Sequence, residues 1–193
     1  MKINGETLED VSEYKFLVNV IKSNGSFIQS TLDLSQKARK VLFSFKSYTS
    51  SLGELPINVS CNLFETMVKP VLTYNSEVCY MDTYITYYRA KERAKKTNQT
   101  VDKLSFIDKS PTEKVRLSFC KHILGVRKSS SNIATPTELG RLPIEEYILS
   151  QTLLYLTRLE TQNVNPLLKE ASEMCKKCTQ KEYIHGILTL LIF

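Results

Sequence analysis

Basic side chains are the best-placed chemical groups in this sequence. Lys114 and Lys121 stand seven residues apart, so at about 100° per residue they share one face of a helix. Arg127 and Lys128 follow a few residues later, and from 109 to 128 six basic residues stand against Glu113 alone, a local charge of +5. Charge concentrated in this way suits contact with phosphate groups. Further upstream, Lys37, Arg39, Lys40 and Lys46 flank an apolar stripe, where a solvated helix face is the plainer reading. From 89 to 103, Arg89, Lys91, Arg93, Lys95, Lys96 and Lys103 stand against Glu92 and Asp102, with tyrosines just before them. Interleaved tyrosines and cations can stack on bases and neutralise phosphates; a loop or insert kept soluble by its charge fits equally well.

Other chemistries find weaker support. Cys175, Cys178 and His185 offer three zinc ligands in knuckle-like order, but a structural zinc site takes four and no cysteine follows, so packing or surface thiols are the plainer reading. His122 and His185 are the two histidines, and neither lies in an arrangement with a nucleophile and an orienting acid. The adjacent acids Glu9-Asp10 and Glu145-Glu146 are poor candidates for a metal site, and the chain contains no Asp-Asp pair. Six glycines are spread singly, without a phosphate-cradling loop. No catalytic residue is expected.

Composition sets the frame for these residues. A length of 193 residues with 42% hydrophobic content can bury one ordinary core. The net charge of +6 and pI near 9.0 favour an anionic partner. Cys61, Cys79, Cys120, Cys175 and Cys178 are odd in number and lie in apolar stretches, as in a reduced intracellular protein. No signal peptide is expected from the start of the chain. The final GILTLLIF falls short of the roughly 20 residues that span a bilayer, and is read as a packing segment or a frayed end where a longer frame was lost.

The elements that position these groups can be read in turn. Tyr14, Phe16, Val18 and Val20 alternate with Lys15 and Asn19, which predicts a half-buried strand. Lys2 to Glu6 predicts a shorter strand broken at Asn4-Gly5, so residues 1–22 read as a small hairpin. Ser26 to Gln29 matches a capping box, and Leu34, Ala38, Val41, Phe45 and Tyr48 form the stripe of a long helix. A second helix opens at Leu55-Pro56 with Ile57, Cys61, Phe64, Val68 and Val71 facing inward, and Pro70 is expected to kink or end it. Ser110-Pro111-Thr112-Glu113 and Gly125 mark both ends of a helix whose Val115, Phe119, Ile123 and Val126 face a core. Thr135 to Glu138 repeats the cap, Gly140 stops that short helix, and LPIEEYILSQTLLYLTRLE makes a last long one. The expected fold is mainly α, a helical bundle preceded by a short N-terminal β-hairpin. Its segments are 1–22, 26–81, a linker or insert at 82–110, a helical extension at 111–160, and a tail of uncertain affiliation at 161–193.

In order, VSEYKFLVNVIKSNGSF, QKARKVLFSFKS, LFETMVKPVLTYNSEV, FCKHILGVRKSSSN and ELGRLPI resemble the downstream part of the reverse transcriptase of non-LTR retrotransposons of the jockey-like group, from about residue 2 to about residue 160. The resemblance implies that residues 1–22 are the last strands of a polymerase palm, with Tyr14, Phe16, Leu17 and Val18 at the primer-grip position. It also implies that the helices after Ser26 are a thumb and its extension. Such a thumb follows an RNA or DNA template–primer by its backbone, which gives Lys37, Lys40, Lys46, Lys114, Lys121, Arg127 and Lys128 a role in contact. Two residues depart from the family pattern. Val18 stands where a glycine is usual, which removes easy access to positive φ, and Asn75 replaces another glycine with a residue that tolerates it. The family holds Mg²⁺ with an Asp-Asp pair upstream of the grip, and a palm carrying it is missing from this chain. No cofactor is therefore expected here, and the chain alone is expected to be inactive. The function expected is that of a fragment of an RNA-directed DNA polymerase that helps to hold template and primer. The alternatives are a non-catalytic helical module binding nucleic acid or protein, and a translated relic without function.

Overall fold

Residues 2–3, 6–7, 11–24, 26–53, 55–79, 81–97, 100, 102–161, 166 and 170 are described by the structure, a computed structural model. Strands β1 (Lys2–Ile3) and β2 (Glu6–Thr7) pair antiparallel, as do β3 (Glu13–Phe16) and β4 (Asn19–Lys22). The expected turn at Asn4-Gly5 lies outside the described residues. Phe16 pairs with Asn19, so Leu17 and Val18 form a two-residue turn in the middle of what the alternation presents as one strand. That fold-back changes the faces. Tyr14 and Phe16 share theirs with Ile21, while Val20 stands opposite Lys15. The expectation of a half-buried Tyr14 and Phe16 is therefore corrected: they are 59% and 57% exposed, and burial falls on Asn19 and Val20. Positive φ is found at Leu17 (54°), the first central position of the turn, and not at Val18.

Helix α1 (Ile28–Leu52) holds the hairpin through one hydroxyl. Ser30 is fully buried, accepts the Val20 N–H at 2.8 Å and donates to the Val20 carbonyl at 3.0 Å. Phe27 is the cap residue, one position later than the expected Ser26; Ser26 Oγ accepts the Ile28 N–H at 3.4 Å and the Gln29 amide turns to Asp33 at 2.9 Å. Leu34, Ala38 and Phe45 are buried as expected, Leu42 joins them, and Tyr48 is exposed.

The proline effect appears one turn before the proline. Helix α2 (Ile57–Leu63) widens into a π turn at Phe64–Val68 and continues as α3 (Lys69–Leu72). Pro70 has no N–H to return to Thr66 and its ring crowds that carbonyl. The chain adapts by lengthening the loop of the hydrogen bond, with the Lys69 N–H donating to Phe64, five residues back. Thr66 Oγ1 donates to the Asn62 and Leu63 carbonyls at 2.9 and 3.2 Å. Asn75, at φ 51°, then occupies the left-handed conformation that its type tolerates, before α4 (Ser76–Cys79).

Much of the segment read as a linker or insert is helical, as α5 (Met81–Lys96) and α6 (Lys103–Ile107). Helix α7 (Pro111–Ile123) begins on the Ser110 cap, whose hydroxyl accepts the Glu113 N–H at 3.1 Å, and Gly125 follows it at φ 63°. Val115 and Phe119 are buried and Ile123 is half-buried, while Val126 lies at the surface. Helix α8 (Ala134–Glu138) starts from Ser131 and not from the expected Thr135, because Ser131 Oγ receives the Ile133 and Ala134 N–H groups at 3.3 and 3.2 Å. Gly140 (φ 61°) precedes α9 (Ile144–Thr161).

One core joins these helices. Ala38, Leu42 and Phe45 of α1 meet Cys61, Phe64, Val68 and Leu72, then Val115, Phe119 and Cys120 of α7, and Ile144 and Ile148 of α9. The Phe119 ring stacks on Phe64 at 4.3 Å and lies 5.9 Å from Phe45. These contacts set α7 alongside α1, and so decide which basic residues become neighbours. Burial pushes the Cys120 thiol up to about 11, which makes it a packing group with little thiolate at neutral pH.

Candidate nucleic-acid interface

The outward face of α7 is written by its spacing. Lys114, Ser118 and Lys121 fall within one sector about 60° wide, turned roughly 90–130° from Val115 and Phe119, and His122 lies about 40° beyond its edge on the Val115 side. Across the seam from α1, the Lys46 ammonium donates to the Ser118 carbonyl and to Ser118 Oγ, both at 3.2 Å. Lys121 organises the exit loop: its ammonium donates to the Lys128 carbonyl at 2.7 Å and to Asn132 Oδ1 at 2.6 Å, and Asn132 in turn donates to Asp108 at 3.0 Å.

This wrapping brings like charges together. Partial burial lowers the Lys46 pKa, and the charge of Lys128 lowers it further. His122 is lowered as well, by burial first and then by Lys46. None of the ion pairs among the described residues involves Lys46, Lys114, Lys121, Arg127 or Lys128. A cluster of cations with no carboxylate set against it is a field suited to an anion.

Not every expected residue joins it. Lys37 and Lys40 are exposed on α1, but Lys37 is nine positions from Lys46, about 180° around the helix, so the upstream basic set is split between two sides. Arg127 is exposed in the loop after α7. The residues expected at a primer grip lie in the hairpin, with Tyr14, Phe16 and Leu17 exposed and Val18 half-buried. In α5, Lys95 pairs with Glu92 at 2.7 Å and the Tyr87 ring packs on Phe106 at 5.3 Å, so part of that basic and aromatic segment is engaged internally. Lys103 pairs with Glu146 at 3.1 Å. Cys175, Cys178 and His185 lie outside the described residues. Among the described residues no three His, Cys, Asp or Glu side chains come together to hold a metal ion, and no helix is long and apolar enough to cross a membrane.

One cluster is absent from the sequence reading. Arg116, one of the six basic residues counted from 109 to 128, points inward at 6% exposure and pairs with Glu113 at 1%. Arg116 also reaches the Arg141 carbonyl at 3.3 Å, while Glu113 accepts the Ile144 N–H at 3.1 Å. Glu145 receives the hydroxyls of Ser110 and Thr112, so the starts of α7 and α9 are tied together by polar groups. A Glu–Arg pair at i, i+3 is visible in the sequence, but its depth is not, because Glu145 lies 35 residues beyond Ser110. With Glu113 and Arg116 neutralising each other inside, Lys109, Lys114, Lys121, Arg127 and Lys128 keep the local charge at +5.

No family model, curated protein or solved structure matches this chain.

Proposed function

We propose that this chain holds nucleic acid by its phosphate backbone, along the outward face of α7 and the adjoining edge of α1. The observation that carries this reading is that Lys46 of α1 bonds to Ser118, one turn after Lys114 on α7, while Lys121 bonds to the backbone of Lys128 beside Arg127, and no ion pair among the described residues engages any of these cations. Holding like charges together opposes folding, and a bound polyanion relieves that opposition. The resemblance to the thumb of non-LTR retrotransposon reverse transcriptases gives the same reading a context: a segment that grips an RNA–DNA template–primer without reading its sequence. In that context Tyr14, Phe16 and Leu17, exposed on the hairpin, face a palm or primer end. The sequence contains no Asp-Asp pair to hold the Mg²⁺ of such polymerases, so the chain's contribution is grip and not chemistry.

Titration of a labelled RNA–DNA duplex at 50 and 200 mM salt tests the reading. Each phosphate neutralised contributes about −0.9 to the slope of log affinity against log salt, so three to five contacts weaken binding by roughly 40-fold to 500-fold over that range. An affinity indifferent to salt overturns it.

A further inference from the structure

We propose that His122 completes a phosphate site with Lys46, Ser118 and Lys128, and that a phosphate held there draws a proton onto the imidazole. The inference rests on the backbone-binding reading above and specifies one of its contacts. Ser118 and His122 are one helical turn apart on α7, so their side chains are neighbours. Ser118 Oγ accepts from the Lys46 ammonium, which leaves its own proton to donate outward. The Lys46 ammonium fixed there has a third proton to offer, and Lys121 holds the Lys128 backbone close by. The result is a small group of donors around one surface position, with an ionisable ring at its edge.

The charged groups around His122 are nearly all cationic. Lys46 acts on it from α1, Lys121 precedes it on α7 and turns to the exit loop that carries Arg127 and Lys128, and Lys114 lies two turns back on the same helix. From the turn before α7, Asp108 accepts from Asn132, which in turn accepts from Lys121. From α9, Glu145 meets α7 at Ser110 and Thr112, ten or more residues from His122 and about 15 Å along the helix. In the free protein partial burial disfavours the imidazolium first, and the charge of Lys46 acts in the same direction. A phosphate between them reverses the balance, and the carbonyl end of α7 also favours a cation there. The proton comes from solvent and no bond of the phosphate changes.

The sign follows from linkage. His122 has a higher pKa in the bound state than in the free state, so affinity grows as pH falls through the bound-state value and levels off below the free-state value, which lies under the ordinary 6.5. A rise of about one pKa unit makes binding about tenfold tighter at the low end than at pH 8.

NMR titration of the histidine C2–H resonances, with a short RNA–DNA duplex and separately with tripolyphosphate as ligands, reads this directly. The chain has two histidines, and His122→Gln assigns the signal. The expected result is an upward shift of the His122 pKa with both ligands. If the duplex binds with the expected salt dependence while the His122 pKa stays in place, the inference fails and the backbone-binding reading stands. If tripolyphosphate raises the His122 pKa but the duplex does not bind, the site stands and the backbone-binding reading fails. No shift with either ligand overturns the inference.

Discussion

At the scale of single residues, two basic side chains of one helix are used in opposite ways. Arg116 is one of six basic residues between 109 and 128, yet it is buried against Glu113, whereas Lys114, two residues earlier, stays in water. The buried pair is sustained by added bonds to Arg141 and Ile144, which offset the cost of removing two charges from water. Glu113→Ala strands the guanidinium and should cost about 3–5 kcal/mol of unfolding free energy in a urea titration. A loss under about 1 kcal/mol would mean that the pair is open to solvent. The Ser110 cap and Gly125 stop were legible because capping chemistry is local. The Glu113–Arg116–Glu145 arrangement was not, because it depends on which helix starts meet in space.

The hairpin and α1 show the same divide at the scale of elements. Alternation marks the residues that form β3 and β4 as extended, but it runs them through Leu17 and Val18 as one strand and so places Val20 with Tyr14. A turn at Leu17 and Val18 carries neither glycine nor asparagine, and therefore gave no sign of itself. Leu17 adopts positive φ at 73% exposure, with little packing to compensate for the strain. Leu17→Gly relieves roughly 1–2 kcal/mol of steric cost and gives back part of it in chain entropy. The expected outcome is a twofold to fivefold slowing of hydrogen exchange at the Ser23 amide, which donates to the Ser12 carbonyl across the hairpin at 2.9 Å. Faster exchange would show that the leucine side chain holds the turn. On α1 the period of the helix was legible through Leu34, Ala38 and Phe45. The partition of Lys37 from Lys46 was also available from angle alone, since nine residues carry a side chain about halfway around the axis.

For the whole molecule, one core spanning α1, α2, α3, α7 and α9 predicts that these helices unfold together. Phe119 stands at its centre, and Phe119→Ala should lower stability by about 3–5 kcal/mol while leaving a single transition. Two separate transitions in the wild type would instead divide α1 from α9. The mainly helical class was legible from periodicity and caps, while the meeting of Lys46 with Lys128 required the packing of α1 on α7. That meeting carries the functional claim, and the salt dependence of duplex binding tests it most directly when wild type and Lys128→Ala are compared. The Lys128 carbonyl still receives Lys121 in the variant, so the loop is retained while one exposed charge is lost. The wild type is predicted to show a slope of log affinity against log salt of roughly −3 to −5, and Lys128→Ala a slope shallower by about one. A flat wild-type slope, or one unchanged in the variant, would contradict a phosphate contact at this seam.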